Sequence, residues 1–129
     1  MASLFWVLKC YGIKIMIECL FCKIINKEVN ATIIEENDYA IAFKDINPIA
    51  PYHILIIPKE HISSTSSINQ KNSFLIGEMA LMANKITSRF IKGNNGSRWI
   101  FNNGENGGQT VFHMHMHLIA GRKFSWPPG

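Results

Sequence analysis

The side chains of this 129-residue sequence that can do chemistry are concentrated in one place. Three of its five histidines stand in alternate positions within Val111-Phe112-His113-Met114-His115-Met116-His117-Leu118-Ile119. On a strand alternate side chains share a face. The pattern therefore predicts His113, His115 and His117 on one side and Phe112, Met114, Met116 and Leu118 on the other, packed on a core. Neighbouring histidines would lie about 6.6 Å apart along the strand. That is too far for ring contact at rest, yet near enough for two imidazoles to meet one phosphate or one metal. A merely solvated face would be served as well by Lys, Thr or Glu. Two chemistries remain: a zinc site of the H-x-H type with an open position, and attack on phosphorus by a neutral imidazole, which is abundant near neutral pH. The preceding Asn102–Gln109, NNGENGGQ, favours the second. Gly-rich turns expose backbone amides in anion-binding concavities, and such donors stabilise charge developing on a phosphorus centre.

These groups need a scaffold, and the punctuation supplies one. Phe21–Asn26 reads as a short helix. Ala31–Glu35, Tyr39–Phe43, His53–Ile57, Arg98–Phe101 and Thr110–Ala120 read as strands, with turns at Asn37-Asp38 and Asn47-Pro48. Ser63–Ser67 is a polar loop. Ile68–Lys92 carries one long helical pattern, with Phe74, Leu75, Met79, Met82, Ile86 and Phe90 at steps of three or four. Strands adjacent in sequence with one long helix inserted predict an α+β domain with an antiparallel sheet.

Composition bounds the rest. The length suits one domain, and 47% hydrophobic against 17% charged residues is a globular balance. The net charge of +4 comes with no Lys/Arg run, so nucleic acid is not an expected partner. Apolar stretches fall far short of the roughly 20 residues of a membrane span. Three cysteines, an odd and low count, argue against a disulfide-framed secreted protein. Residues 1–15, MASLFWVLKCYGIKI, stand apart: they hold two lysines and no acid, and they fit neither a secretory signal nor an Arg- and Ser-rich presequence. Met16 then opens a natural beginning. The expected organisation is a 1–15 extension, from a misplaced start or a weak targeting segment, followed by a domain over 16–129. The expected location is cytoplasmic, or mitochondrial if 1–15 is a targeting segment.

Asn102 to Arg122, with its H-x-H-x-H core, resembles the histidine triad superfamily, and the Hint branch of purine nucleoside phosphoramidases most of all. Phe21-Cys22-Lys23-Ile24-Ile25, Phe43-Lys44-Asp45-Ile46-Asn47-Pro48, His53 to Ile62, Gly107-Gly108-Gln109-Thr110-Val111 and the tail Trp126-Pro127-Pro128-Gly129 each resemble a family block in order. Gly121-Arg122 and the WPPG tail set the resemblance apart from the diadenosine polyphosphate hydrolase and uridylyltransferase branches. The resemblance implies a five-stranded antiparallel sheet with one long helix and a short N-terminal helix. It implies hydrolysis of a purine nucleoside phosphoramidate through a nucleotidyl-histidine, with His115 as nucleophile and His117 donating to a non-bridging phosphate oxygen. His113 completes the triad, His53 sets tautomers, and Thr110 donates to phosphate or leaving group.

For the nucleotide, the resemblance implies that Gly108 and Gln109 offer backbone donors beside Val111, and that Asp45 accepts from the ribose. Phe21, Phe43 and Ile46 would sandwich the base, Asn102 would lie near phosphate or ribose, and Trp126 would reach the site from a two-fold partner in a homodimer. Phe43 and Ile46 as ordinary core, and Asp45 as a cap on the Asn47-Pro48 turn, remain open. Cys19-x-x-Cys22 with His61 and His113 matches the zinc pattern of Cys-containing members, a closed structural site; two buried thiols and a surface His61 is the competing reading. Beside the enzyme stand two other functions: a non-catalytic nucleotide-binding signalling protein, and a zinc-binding adaptor.

Overall fold

The computed structural model describes residues 19–93 and 95–129, so the extension expected at 1–15 lies outside the described residues. The elements are α1 (Leu20–Ile25), β1 (Ile33–Glu36), β2 (Ala40–Lys44), β3 (Tyr52–Pro58), a 3-10 turn (Thr65–Ser67), α2 (Phe74–Phe90), β4 (Ser97–Phe101) and β5 (Met116–Ala120). The five strands form one antiparallel sheet in the order β1-β2-β3-β5-β4. The α+β architecture is the one expected.

Strand periodicity divides the core in two. Ala40 and Ala42 of β2, Ile54 and Ile56 of β3, and Met116, Leu118 and Ala120 of β5 point to the face covered by α2, where they meet Leu75, Met79, Met82 and Ile86. Ile41, Phe43, Leu55 and Ile57 point the other way and meet Phe21, Ile24 and Ile25 of α1. Alternate positions must part in this way. The face under α1 also receives His53 and His117, since Leu55 pairs with His117 and His53 with Ile119. The short helix covers only part of that face, and the histidines occupy the remainder.

Two expected elements are shorter than predicted. The long helix begins at Phe74, not Ile68, because the Asn69 side chain accepts from the Lys71 and Asn72 amides while Asn72 accepts from the Asn69 amide. Such local bonds compete with helix. The last strand begins at Met116, not Thr110. Met114 N donates to the Ile62 carbonyl at 2.6 Å and His113 Nε2 to the Pro58 carbonyl at 2.8 Å, so both leave the ladder at the end of β3. The three histidines therefore do not stand on one strand face. Phe112, expected in the core, is 55% exposed, while Met114 and Met116 are buried as expected.

Candidate active site

Of the three alternating histidines, only His117 sits within a strand. The His115 and His117 ring centroids are 5.0 Å apart, closer than the strand spacing predicts, because the backbone bends before β5. His53 and His117 are diagonal neighbours on β3 and β5, a relation that brings long side chains within reach. Their nitrogens, His53 Nε2 and His117 Nδ1, are 2.9 Å apart.

Hydrogen-bond partners fix the tautomers, because each neutral ring has one donor and one acceptor. The Ile49 amide donates to His53 Nδ1 at 3.2 Å, so the His53 proton is on Nε2. Facing that proton at 2.9 Å, His117 Nδ1 must be the acceptor, which places the His117 proton on Nε2. That Nε2–H is buried and has no partner among the described residues. His115 is set the opposite way: its Nδ1 donates to the His113 carbonyl at 2.8 Å, leaving the Nε2 lone pair bare. A bare imidazole nitrogen beside an unspent N–H donor is the pairing that nucleophilic attack with hydrogen-bond donation to the charged centre requires.

Electrostatics keeps the rings neutral. Burial lowers the pKa of His115, against smaller raising effects from the His113 carbonyl and Asp45. Burial, reinforced by His115 and His53, pushes His117 down to about 4. His53 is lowered by burial while Asp45, with Oδ2 at 3.4 Å, pulls it up. Asp45 is held in place by its own amide, which donates to the His53 carbonyl at 3.0 Å, and its Oδ1 accepts from the Asn47 amide at 2.7 Å. It therefore does cap the Asn47-Pro48 turn, while its second oxygen faces the histidines.

The first triad histidine belongs to a second cluster. Donor atoms of Cys19, Cys22, His61 and His113 all lie within 4.8 Å of one another. The Nδ1 atoms of His61 and His113 are 3.2 Å apart, and the nitrogen-to-sulfur separations are 3.4, 3.5 and 3.6 Å. A tetrahedral zinc with Zn–S near 2.3 Å and Zn–N near 2.0–2.1 Å has edges of about 3.6 Å (N to S) and about 3.3 Å (N to N). The donor set thus has the size and chemistry of a zinc tetrahedron. His113 Nε2–H on the Pro58 carbonyl leaves Nδ1 as the ligating atom, the usual arrangement of a metal-bound histidine. Burial holds the His113 pKa down to about 3, which keeps Nδ1 unprotonated. Ligation requires both cysteines as thiolates.

A family model for the HIT domain matches residues 26–124. The chain belongs to the HIT domain family. It is 43% identical over 112 residues to an uncharacterised HIT-like protein of Synechocystis sp., covering 87% of this chain and 97% of that one. It is 38% identical over 112 residues to a 14 kDa zinc-binding protein of Zea mays, covering 85% and 87% of the two chains. The crystal structure of a HIT family hydrolase from Legionella pneumophila has a TM-score of 0.83 at 43% identity, over 87% of this chain and 100% of that one.

Within this HIT domain the other expected site residues divide. Phe21 and Phe43 meet edge to face at 5.5 Å, and Phe21 lies 5.1 Å from the His115 ring, but both phenylalanines are buried among core residues. Ile46 is 90% exposed. The Gly108 and Gln109 amides donate within their own loop, to the Glu105 and Gly104 carbonyls at 3.0 Å, so neither is a ready donor in this conformation. The Gln109 side chain is buried and ties the loop together: Oε1 accepts from the Gly104 amide, and Nε2 donates to the Ser63 and Val111 carbonyls. Thr110 is exposed, Asn102 and Val111 are half-buried, and Trp126 is 82% exposed. Three backbone groups that set tautomers, the Ile49 amide and the His113 and Pro58 carbonyls, are not legible from residue types, since every residue carries them.

Proposed function

We propose that this HIT protein is a Hint-type hydrolase of nucleoside phosphoramidates, working through a nucleotidyl-histidine on His115. The observation that carries the reading is the opposed pair of tautomers: His115 with Nε2 bare, His117 with Nε2–H unspent. In the first step the His115 Nε2 lone pair forms a bond to phosphorus as the phosphorus–nitrogen bond breaks, its electron pair leaving with the amine. His117 Nε2–H hydrogen-bonds a phosphate oxygen and keeps its proton, and the departing amine takes its proton from solvent. In the second step water attacks phosphorus and gives up a proton to solvent. The His115–phosphorus bond breaks, its pair returns to Nε2, and a nucleoside monophosphate leaves. Splitting the displacement in two replaces one hard step with two easier ones. Asp45 and Thr110 are the groups we assign to ribose and phosphate, with Phe21 and Ile46 toward the base. A purine nucleotide in a homodimer, with β4 at the sheet edge and Trp126 reaching across, completes the reading. Light scattering that finds a monomer rejects the dimer.

Zinc at Cys19, Cys22, His61 and His113 is the metal we propose. With four protein ligands the ion would have no open position, and its contribution would be to lock α1 and the segment before β5. Its support is the edge lengths above and the name of the maize relative. Protein purified without a histidine tag, in reductant, is expected to carry near-stoichiometric zinc by elemental analysis, and its absence rejects the site.

The reaction is tested with His115→Gly on adenosine and guanosine phosphoramidates. Turnover is expected to fall at least about a thousand-fold while nucleotide binding stays largely intact. Wild-type turnover in that variant removes His115 as the nucleophile.

A further inference from the structure

Arg122 touches none of the groups that would react, yet it is fastened to the segment that sets their tautomers. Its side chain is exposed, which ordinarily means mobile, but here it is pinned three ways. Nε donates to the Ile49 carbonyl at 3.1 Å, Nη1 donates to the Lys123 carbonyl at 3.3 Å, and the Phe124 ring centroid lies 4.3 Å from Cζ. Gly121 permits the approach. It has φ +98°, and a Cβ there would stand 2.8 Å from Pro51 Cβ and 3.0 Å from Tyr52 Cδ2. The chain leaving β5 thus lies directly against the segment entering β3. Ile49 is in that segment, and its amide is the donor to His53 Nδ1.

We propose that Arg122 is a positioning residue for the His53–His117 pair. By holding the Ile49 carbonyl it keeps the Ile49 amide on His53 Nδ1, and so keeps the protons on His53 Nε2 and His117 Nε2. The alternative state needs no net gain or loss of protons. If the Ile49 amide turns to water, His53 can carry its proton on Nδ1. His117 then donates from Nδ1 to the bare His53 Nε2, and its own Nε2 is left without a proton. Asp45 Oδ2, 3.4 Å from His53 Nε2, favours the working tautomer too, but that separation is long for a hydrogen bond. The Ile49 amide is therefore needed beside it. Ile49 lies in an irregular segment between Asp45 and Pro51 with no strand ladder of its own, so an outside anchor matters.

The kinetic consequence rests on the reaction proposed above; the tautomer consequence does not. The test uses the full chain with nitrogen-15 histidine in Arg122→Gln, Arg122→Lys and Ile49→Pro, the last removing the N–H itself. In Arg122→Gln and Ile49→Pro the ring nitrogens of His53 and His117 are expected to move from the Nε2–H pattern toward a mixture. With them kcat should fall about five-fold, the worth of one ordinary hydrogen bond, with KM within two-fold of wild type. Arg122→Lys, which keeps a donor for the Ile49 carbonyl, should restore both toward wild type. Unchanged ring nitrogens in Arg122→Gln overturn the proposal, and so does a fall in kcat with the tautomers in place. Shifted tautomers together with full turnover in His115→Gly would leave Arg122 in its role and remove the reaction instead.

Discussion

Lowering the pH is the perturbation that separates this histidine network from a set of solvated rings. An imidazole at its ordinary value of about 6.5 is only about 9% neutral at pH 5.5, so a solvated triad would lose about ten-fold in rate there. Burial holds His117 at about 4, at which about 97% remains neutral at pH 5.5. His115 and His53 are moved the same way by the same cause. The expected result is a kcat/KM that changes by less than about three-fold between pH 7.5 and 5.5, with its acid limb below 6. The assay is initial-rate hydrolysis of an adenosine phosphoramidate at constant ionic strength, with the uncatalysed rate subtracted. Nuclear magnetic resonance of the His117 ring gives the same midpoint without needing activity. Asp45→Asn supplies an internal check. The carboxylate raises all three pKa values, so removing its charge should push the limb further acid whatever it does to KM. A limb centred at 6.5 or above, or a His117 ring titrating there, refutes the reasoning.

Other outcomes follow from the same geometry. Zinc-free, reduced protein should lose stability on acidification. His113 and His117 have folded values of about 3 and about 4, below the unfolded 6.5, so the unfolded chain binds more protons; stability present above pH 6.5 drains away as pH falls through those values. Urea midpoints that do not fall between pH 7 and 5 would contradict this. Gln109→Ala removes three loop-tying hydrogen bonds and should cost about 1–3 kcal/mol in urea denaturation; an unchanged midpoint would show that the loop holds itself. Gly107→Ala would place a Cβ 2.4 Å from the Asn103 carbonyl oxygen, so the loop before His113 must rearrange; wild-type kcat/KM and melting temperature together would remove this constraint. Met116→Ala empties a site that is 1% exposed and should cost about 2–5 kcal/mol; a melting temperature within a degree of wild type would count against β5 packing on α2.

Much of this was legible in the residues because strand and helix periods are short-range facts. Met114, Met116 and Leu118 announce a buried face, and they are buried. The Cys19-x-x-Cys22 spacing needs only one helical turn to bring both sulfurs to one place, and Cys19 accepts from the Cys22 amide across that turn at 3.3 Å. What misled was the strand's extent. Nothing in the type or spacing of His113 says that its ring will find the Pro58 carbonyl and the Cys pair, because those partners are about fifty and ninety residues away in sequence. A histidine can leave the ladder when its ring gains more from burial with partners than its backbone loses, and that balance is tertiary. The same limit applies to Asn102–Gln109. A Gly-rich loop signals exposed amides, yet a buried Gln109 side chain and two internal turns already occupy several of its polar groups.

The bend at His113 has a consequence for chemistry that three histidines on one straight strand would not have. A straight strand would present three equivalent rings, with nothing to choose which nitrogen is basic. Here each ring meets a different oxygen or nitrogen: His113 the Pro58 carbonyl, His115 the His113 carbonyl, His117 the His53 ring. The proton is placed on Nε2, Nδ1 and Nε2 in turn, so neighbours in the pattern have opposite faces to offer. Leaving the strand at His113 is what frees its carbonyl from the ladder to accept from His115. The departure that shortens β5 is thus also the one that bares His115 Nε2. Straightening the segment would therefore cost the nucleophile its orientation even with all three histidines in place. Val111→Ile, which favours strand before the bend without touching a histidine or Thr110, leaves this geometry intact only if the His113 ring holds its partners. Reduced turnover with an altered His115 tautomer in that variant is the expected sign that the bend sets the chemistry, and full turnover with a strand extended to residue 111 would refute it.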